Sequence, residues 1–370
     1  MKTKPYRPAH RIARPSLSLA ALTALLAAVP LTPAPAAPAA PGGTARALAA
    51  APKVVLASGK LKVTIAPPDG KKGFYRSTRF DWSGMITDVT LGATHFYGPW
   101  TDGVSEEVHD FADTPTGVVV SPRNPATGPA EEFANRDGET VPGYNAAPAG
   151  GTFIKIGVGR LRKADLKPYD HFNAYDIVDG GTWTLRRTPA RMVFIQRLPT
   201  GADGYGYEYE KSVTLAPGGV MTIAHRLRNT GRLPIQTQLY THNFARFGGA
   251  EIGPGVTARF PFPLTGPVSD PALAAIDGNE LRYLKPLHPG DRIQLPAQPG
   301  DPALNGGPFT ITGANGASIT MAADVPLVRT AIWSIRRTVA IEPFVAINVA
   351  SGAEQRWSWR YTYTEAKRPR

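Results

Sequence analysis

An all-β fold, a large antiparallel β-sandwich with little helix, is what this 370-residue sequence predicts. Apolar and polar residues alternate at period two in many short runs, and turn signals rich in Gly, Pro, Asp and Asn divide those runs roughly every ten to fifteen residues. Helical periodicity is nearly absent. Alternation of this kind gives each strand one apolar face, and two such faces bury each other as packed sheets.

The N-terminus reads as a targeting segment. Lys2, Lys4, Arg7, Arg11 and Arg14 form a basic region, Leu17 to Leu31 an apolar run, and Pro35-Ala36-Ala37 and Pro38-Ala39-Ala40 offer small residues for cleavage. The run is too short to span a bilayer and is broken by Ser18, Thr23 and Pro30. Residues 1–40 are therefore expected to be a signal peptide, with the protein periplasmic or secreted in a bacterium and without a stable membrane anchor once it is removed. Lipid anchoring needs a cysteine, and there is none. Residues 41–52, rich in Ala, Pro and Gly, read as a linker. Residues 53–370 read as a single β-sandwich domain whose stability comes from a large core, since no disulfide can staple it.

Within that domain Leu61 to Ile65 alternates and stops at Pro67-Pro68-Asp69-Gly70. Phe153 to Gly159 alternates with glycines, and Tyr205, Tyr207 and Tyr209 share one face. Met221 to Leu227 ends at Asn229-Thr230-Gly231, and Trp357 to Tyr363 is a clean alternating strand. Residues 271–279 alone read as a short turn of helix. Two long loop-rich regions, 98–150 and 252–310, have the length of functional insertions.

The formal net charge is +12; the five Lys/Arg before residue 41 leave with the signal and no acidic residue does, so subtracting five leaves +7. The remaining basic residues are scattered, as in Arg186-Arg187 and Arg336-Arg337, and none interleaves with aromatics in a nucleic-acid module. No nucleic-acid partner is expected. An attraction to acidic sugars or an anionic surface fits better.

Four constellations carry candidate chemistry. Between Gly73 and Ile86, Arg79, Asp81 and Trp82 sit among aromatics, a set able to stack on a sugar ring and fork onto its hydroxyls. The alternative is an Arg79–Asp81 pair that closes a sheet edge. Val108-His109-Asp110 and Glu131-Glu132 come next; adjacent glutamates on a strand face opposite sides, so at most one enters a cleft. Third, Tyr240, His242 and Phe244 share a strand face with Asn243 opposite. An imidazole there titrates near neutrality, unless it is a core histidine held by backbone. Last, Glu342 lies in the apolar run Thr338 to Ile347, where a carboxylate is costly to bury without a task or a partner such as Arg336 or Arg337. His95, His171, His225 and His288 are too dispersed for a metal site, no Gly-x-Ser-x-Gly elbow occurs, and Gly157-x-Gly159 lacks the helix of a dinucleotide site. No cofactor and no metal are expected.

With those residues in view, the chain resembles the galactose mutarotase-like (aldose 1-epimerase) superfamily, and within it an exported bacterial branch. The shared stretches are Gly73 to Ile86, Gly128 to Phe133, Phe153 to Lys163, Leu227 to Gly231, Tyr240 to Phe244 and Trp333 to Phe344. The resemblance implies a supersandwich with a sugar cleft on its concave face. It gives His242 the role of general acid, Glu342 that of base and Arg79 that of a sugar-holding arginine. Asp81, Trp82, His109, Glu132, Tyr240 and Asn243 are the further expected substrate contacts. The family's His-Gly-Gly segment has only Val108-His109-Asp110 as counterpart, and Ala245 stands where an aromatic is usual. The expected activity is interconversion of sugar anomers by acid and base about 6–8 Å apart across a groove. The alternatives are a polysaccharide lyase or glycoside hydrolase, and a non-catalytic carbohydrate-binding protein on the same fold.

Overall fold

The structure, a computed structural model, describes residues 50–134, 141–299 and 306–366. The expected signal peptide, most of the linker and the four C-terminal residues lie outside the described residues. Two antiparallel sheets dominate. One has ten strands, running from Thr182–Thr188 at its edge through Arg191–Leu198, Tyr207–Ala216 and Val220–Asn229 to Glu354–Thr364 and onward. The other pairs Arg292–Gln294, Arg329–Ile335, Thr338–Val349, Ile235–Phe244 and Gly128–Phe133 in that order, with Gln298–Pro299 added beside Arg329–Ile335.

Period-two alternation builds the core between them. In Glu354–Thr364 the odd positions Trp357, Trp359, Tyr361 and Tyr363 are all buried. They meet Leu239, Ile341, Val345 and Ile347 of the second sheet in one apolar cluster. The opposite face of the second sheet carries Tyr240, His242 and Phe244; this face, turned away from the core, is what positions the site.

Residues 271–279 do not form the expected turn of helix. Ala274–Asp277 is a strand that pairs with Glu280–Tyr283 across a two-residue loop. Gly278 there has φ 61°, a left-handed conformation, and Asn279 Nδ2 donates to the Phe260 carbonyl at 2.8 Å. Turn chemistry thus overrides the alanines. The two loop-rich regions also contain strands, among them Phe111–Thr114 and Gly117–Val120 in the first and Thr257–Arg259 in the second. Gly157 has φ 80°, and a Cβ on it would lie 2.3 Å from Asp81 Oδ1. That glycine makes room for a buried carboxylate. No helix among the described residues is long and apolar enough to cross a membrane.

Candidate functional site

Strand register places the site residues in rows. Tyr240 pairs with Glu132 on one side and Phe344 on the other, and Phe344 pairs with Arg329. Two residues further along the same face, His242 pairs with Ala130 and Glu342 with Ala331. The ladder between the two central strands stops at Tyr240–Phe344 and resumes at an Ala245–Val339 bridge, a register that sets His242 opposite Glu342. Pro343 has no N–H to offer in the gap. Asn243 Nδ2 donates to the Ile341 carbonyl at 2.8 Å there.

His242 Nε2 stands 3.1 Å from Glu342 Oε1. The imidazole stacks on Phe244, with centroids 3.7 Å apart and planes at 10°, and meets the Trp333 ring edge-on at 5.4 Å. Burial holds the His242 pKa well below the usual imidazole range, helped by the Arg79 cation against the opposing pull of Glu132. A neutral ring donates Nε2–H to the Glu342 carboxylate and keeps a lone pair on Nδ1.

Arg79 is gripped on three sides. Its Nη1 donates to Asp110 Oδ2 at 2.7 Å, its Nε to Glu132 Oε2 at 3.0 Å and its Nη2 to Tyr240 Oη at 3.1 Å. Phe80 and Phe172 lie against the guanidinium, with centroids at 4.6 and 5.0 Å. Glu132 also accepts from Tyr240 Oη at 2.6 Å and from Lys155 Nζ at 3.1 Å. Burial alone would raise its carboxyl, but the Lys155 cation, a hydrogen bond from His171 and the Arg79 cation outweigh that and hold it well below the usual range. Asp110 goes the other way: burial raises it despite Arg79.

These groups wall a cleft of about 640 Å³. Arg79, Tyr240, His242 and Glu342 line it, together with Asp110 and His171. Trp100, Phe111, Phe172, Phe244 and Trp333 add aromatic surface. Both loop-rich regions contribute walls, and Arg292 of one pairs with Asp113 of the other at the rim.

The remaining expected contacts sit elsewhere. Glu132 is fully buried beneath the lining and holds Arg79 from behind. Asp81 and Trp82 do not reach the cleft, because Gly73 to Gly84 is irregular and Arg79 and Asp81 share no strand face. Asp81 bonds instead to Ser83, Tyr209 and Lys211, and Trp82 Nε1 donates to the Ser77 carbonyl. Asn243 faces the sandwich interior, where it also accepts from Tyr361 Oη at 3.0 Å. His109 is exposed and its neighbour Asp110 takes the inward position. Glu342 faces His242 directly, not across a groove, because register makes them cross-strand neighbours. His171 and Lys155 were not among the expected residues. The aromatic setting of His171, between Tyr169, Phe172 and Tyr175, was the available signal. Among the described residues no group of three or more His, Cys, Asp or Glu is placed to hold a metal ion.

No protein-family profile matches the sequence, and no curated protein matches it significantly. Solved structures do show likeness. A candidate aldose 1-epimerase of Escherichia coli K12 matches 85% of this chain and 99% of its own at 14% identity, with a TM-score of 0.49. A galactose mutarotase related enzyme of Lactobacillus acidophilus matches 85% of this chain and 98% of its own at 12% identity, TM-score 0.48. A galactose mutarotase-like protein of Lactobacillus casei ATCC 334 matches 85% and 100% at 12% identity, TM-score 0.48.

Proposed function

We propose that the cleft binds a sugar of small-molecule size and that His242 and Glu342 move protons at its anomeric centre, as an aldose 1-epimerase-like isomerase. The observation that carries this reading is the 3.1 Å contact between an imidazole and a carboxylate inside an aromatic-walled cleft. A hemiacetal carbon bears both its hydroxyl and the ring oxygen, so acid and base for ring opening have to converge on one carbon. A cross-strand pair does that. The cleft volume of about 640 Å³ falls in the range of roughly 300–1,000 Å³ that suits a small ligand.

The pair works as imidazolium and carboxylate, the neutral His242 ring having first taken up one proton. Glu342 takes the anomeric hydroxyl proton, His242 gives its proton to the ring oxygen, and the bond from that oxygen to the anomeric carbon breaks. The aldehyde rotates, and the reverse transfers close the ring to either anomer and restore the pair. Each positioned group contributes roughly 10²–10⁴-fold. Arg79, clamped by Asp110, Glu132 and Tyr240, fixes the wall beside them. The basic region and apolar run ahead of the domain support export, so the reading includes sugars outside the cytoplasm.

Saturation-transfer NMR or polarimetry on α-glucose and α-galactose tests the proposal. Interconversion faster than the buffer blank is expected; blank rates across a broad set of aldoses reject it.

A further inference from the structure

The cleft holds a second imidazole–carboxylate pair that the proton transfers above leave unused. His171 Nδ1 lies 3.4 Å from Glu132 Oε2, the opposite sense to His242, which turns Nε2 toward its carboxylate. Glu132, ionised between Lys155 and Arg79, only accepts hydrogen bonds. It therefore selects the His171 tautomer with the proton on Nδ1 and leaves a lone pair on Nε2. The His171 ring is 6% exposed, packs on Phe172 at 4.0 Å between centroids and lines the cleft. Its Nε2 has no hydrogen-bond partner among the described residues.

Three more cleft-lining residues share this condition, His242 at Nδ1, Asp110 at Oδ1 and Asn124 at Oδ1. With both rings neutral, as in the resting site, all four atoms are acceptors, and acceptors lining one cleft call for a ligand bearing several O–H donors. Glu132 and Tyr240 form the strand row next to His242 and Glu342, a step of about 7 Å at two residues along a strand. A group held by Glu132 thus reaches a different part of a bound ring from the one His242 serves.

We infer that His171 is a substrate-contacting residue whose Nε2 accepts a hydrogen bond from a sugar hydroxyl other than the anomeric one, with Glu132 as the positioning residue that fixes its tautomer. This rests on the sugar-binding reading.

The test uses the whole protein with ¹⁵N-labelled histidine and two-bond ¹H–¹⁵N spectra, titrated with D-glucose and D-galactose. Without sugar, His171 shows the Nδ1–H tautomer; on titration the Nε2 resonance of His171 and the ring resonances of His242 move together. H171N, which keeps a donor toward Glu132 but removes the outer acceptor, raises KM about tenfold with a much smaller change in kcat. H171Q, which restores an acceptor there, recovers most of the loss. Movement of His242 without His171 overturns this inference and leaves the sugar reading intact. Movement of neither, with any aldose tried, overturns both. Should a variant fail to fold, the wild-type spectra decide alone.

Discussion

Glu131 and Glu132 are chain neighbours on one strand, and each holds its own buried lysine on opposite faces of the sheet. Glu132 Oε1 takes Lys155 at 3.1 Å under the cleft, and Glu131 Oε2 takes Lys211 at 2.5 Å inside the sandwich. Glu131 also meets His225 Nε2 at 3.0 Å and accepts from Trp359 Nε1 at 2.8 Å. One dipeptide therefore anchors both the core and the floor of the site, and the pleat of the strand keeps the two charge networks apart.

The core network sets a stability prediction. Burial would raise the Glu131 carboxyl, but His225 and Lys211 bring it down from 4.5 to about 2. A depressed carboxylate contributes stability above its unfolded value, and that contribution is lost as pH falls from about 4.5 to about 2. Glu131→Gln removes this acid dependence and costs about 3–5 kcal/mol near neutrality, because Lys211 is left with Asp81 alone as its carboxylate partner. Urea unfolding at neutral and acidic pH measures both effects; a variant as stable as the parent at neutrality would sink the claim.

Arg79→Lys tests the clamp. A guanidinium serves Asp110, Glu132 and Tyr240 through three separate nitrogens, whereas an ammonium is a single point that cannot hold all three directions. Losing one charge-assisted bond at roughly 1.5–3 kcal/mol lowers kcat/KM on the order of 10–100-fold. Anomer-exchange kinetics with an unfolding control separates this from general loss of fold. Parent-like kinetics would show that the arginine plays no part.

How legible this was in the sequence depended on how local each cause is. Alternation made the strands readable, and the opposed faces of Glu131 and Glu132 follow from period two alone. His242 and Glu342 could be singled out because each is a titratable group in an apolar run. Their direct contact was not readable, since it depends on the register between strands about a hundred residues apart, interrupted at Pro343. Asp81 and Asn243 share that limit: which side of a sheet a polar residue serves is decided by partners far along the chain, here Lys211 and Tyr361. His171 lay in a segment with no strand pattern, so nothing local tied it to Glu132.

Removing either member of the cross-strand pair should abolish most turnover. Glu342→Gln keeps shape and loses the base; His242→Phe keeps the stack on Phe244 and loses the acid. Each lowers kcat by roughly 10²–10⁴-fold, and the double variant is little worse than either single one, as for groups that act as a unit. Saturation-transfer NMR reads the rates. Additive losses would argue for independent roles.

The pH dependence follows from the proton count of that pair. Its working state holds one proton shared between His242 and Glu342, so a coupled, macroscopic titration governs the rate. Arg79, His171, Glu132 and Glu342 are the charged or titratable groups around the ring, and burial with the Arg79 cation pushes its pKa well below 6.5. A lowered imidazole pKa means that the proton leaves at lower pH than from a free ring. The one-proton state is then populated on the acid side and lost as pH rises, so turnover falls from about pH 5 toward pH 8 instead of peaking near the ordinary histidine value. Arg79→Gln removes one of the depressing charges and shifts the falling limb to higher pH, whatever it does to the absolute rate. A wild-type profile that climbs steadily from about pH 5 to pH 8 is incompatible with a proton-carrying His242, because deprotonation of the pair can only remove its acid.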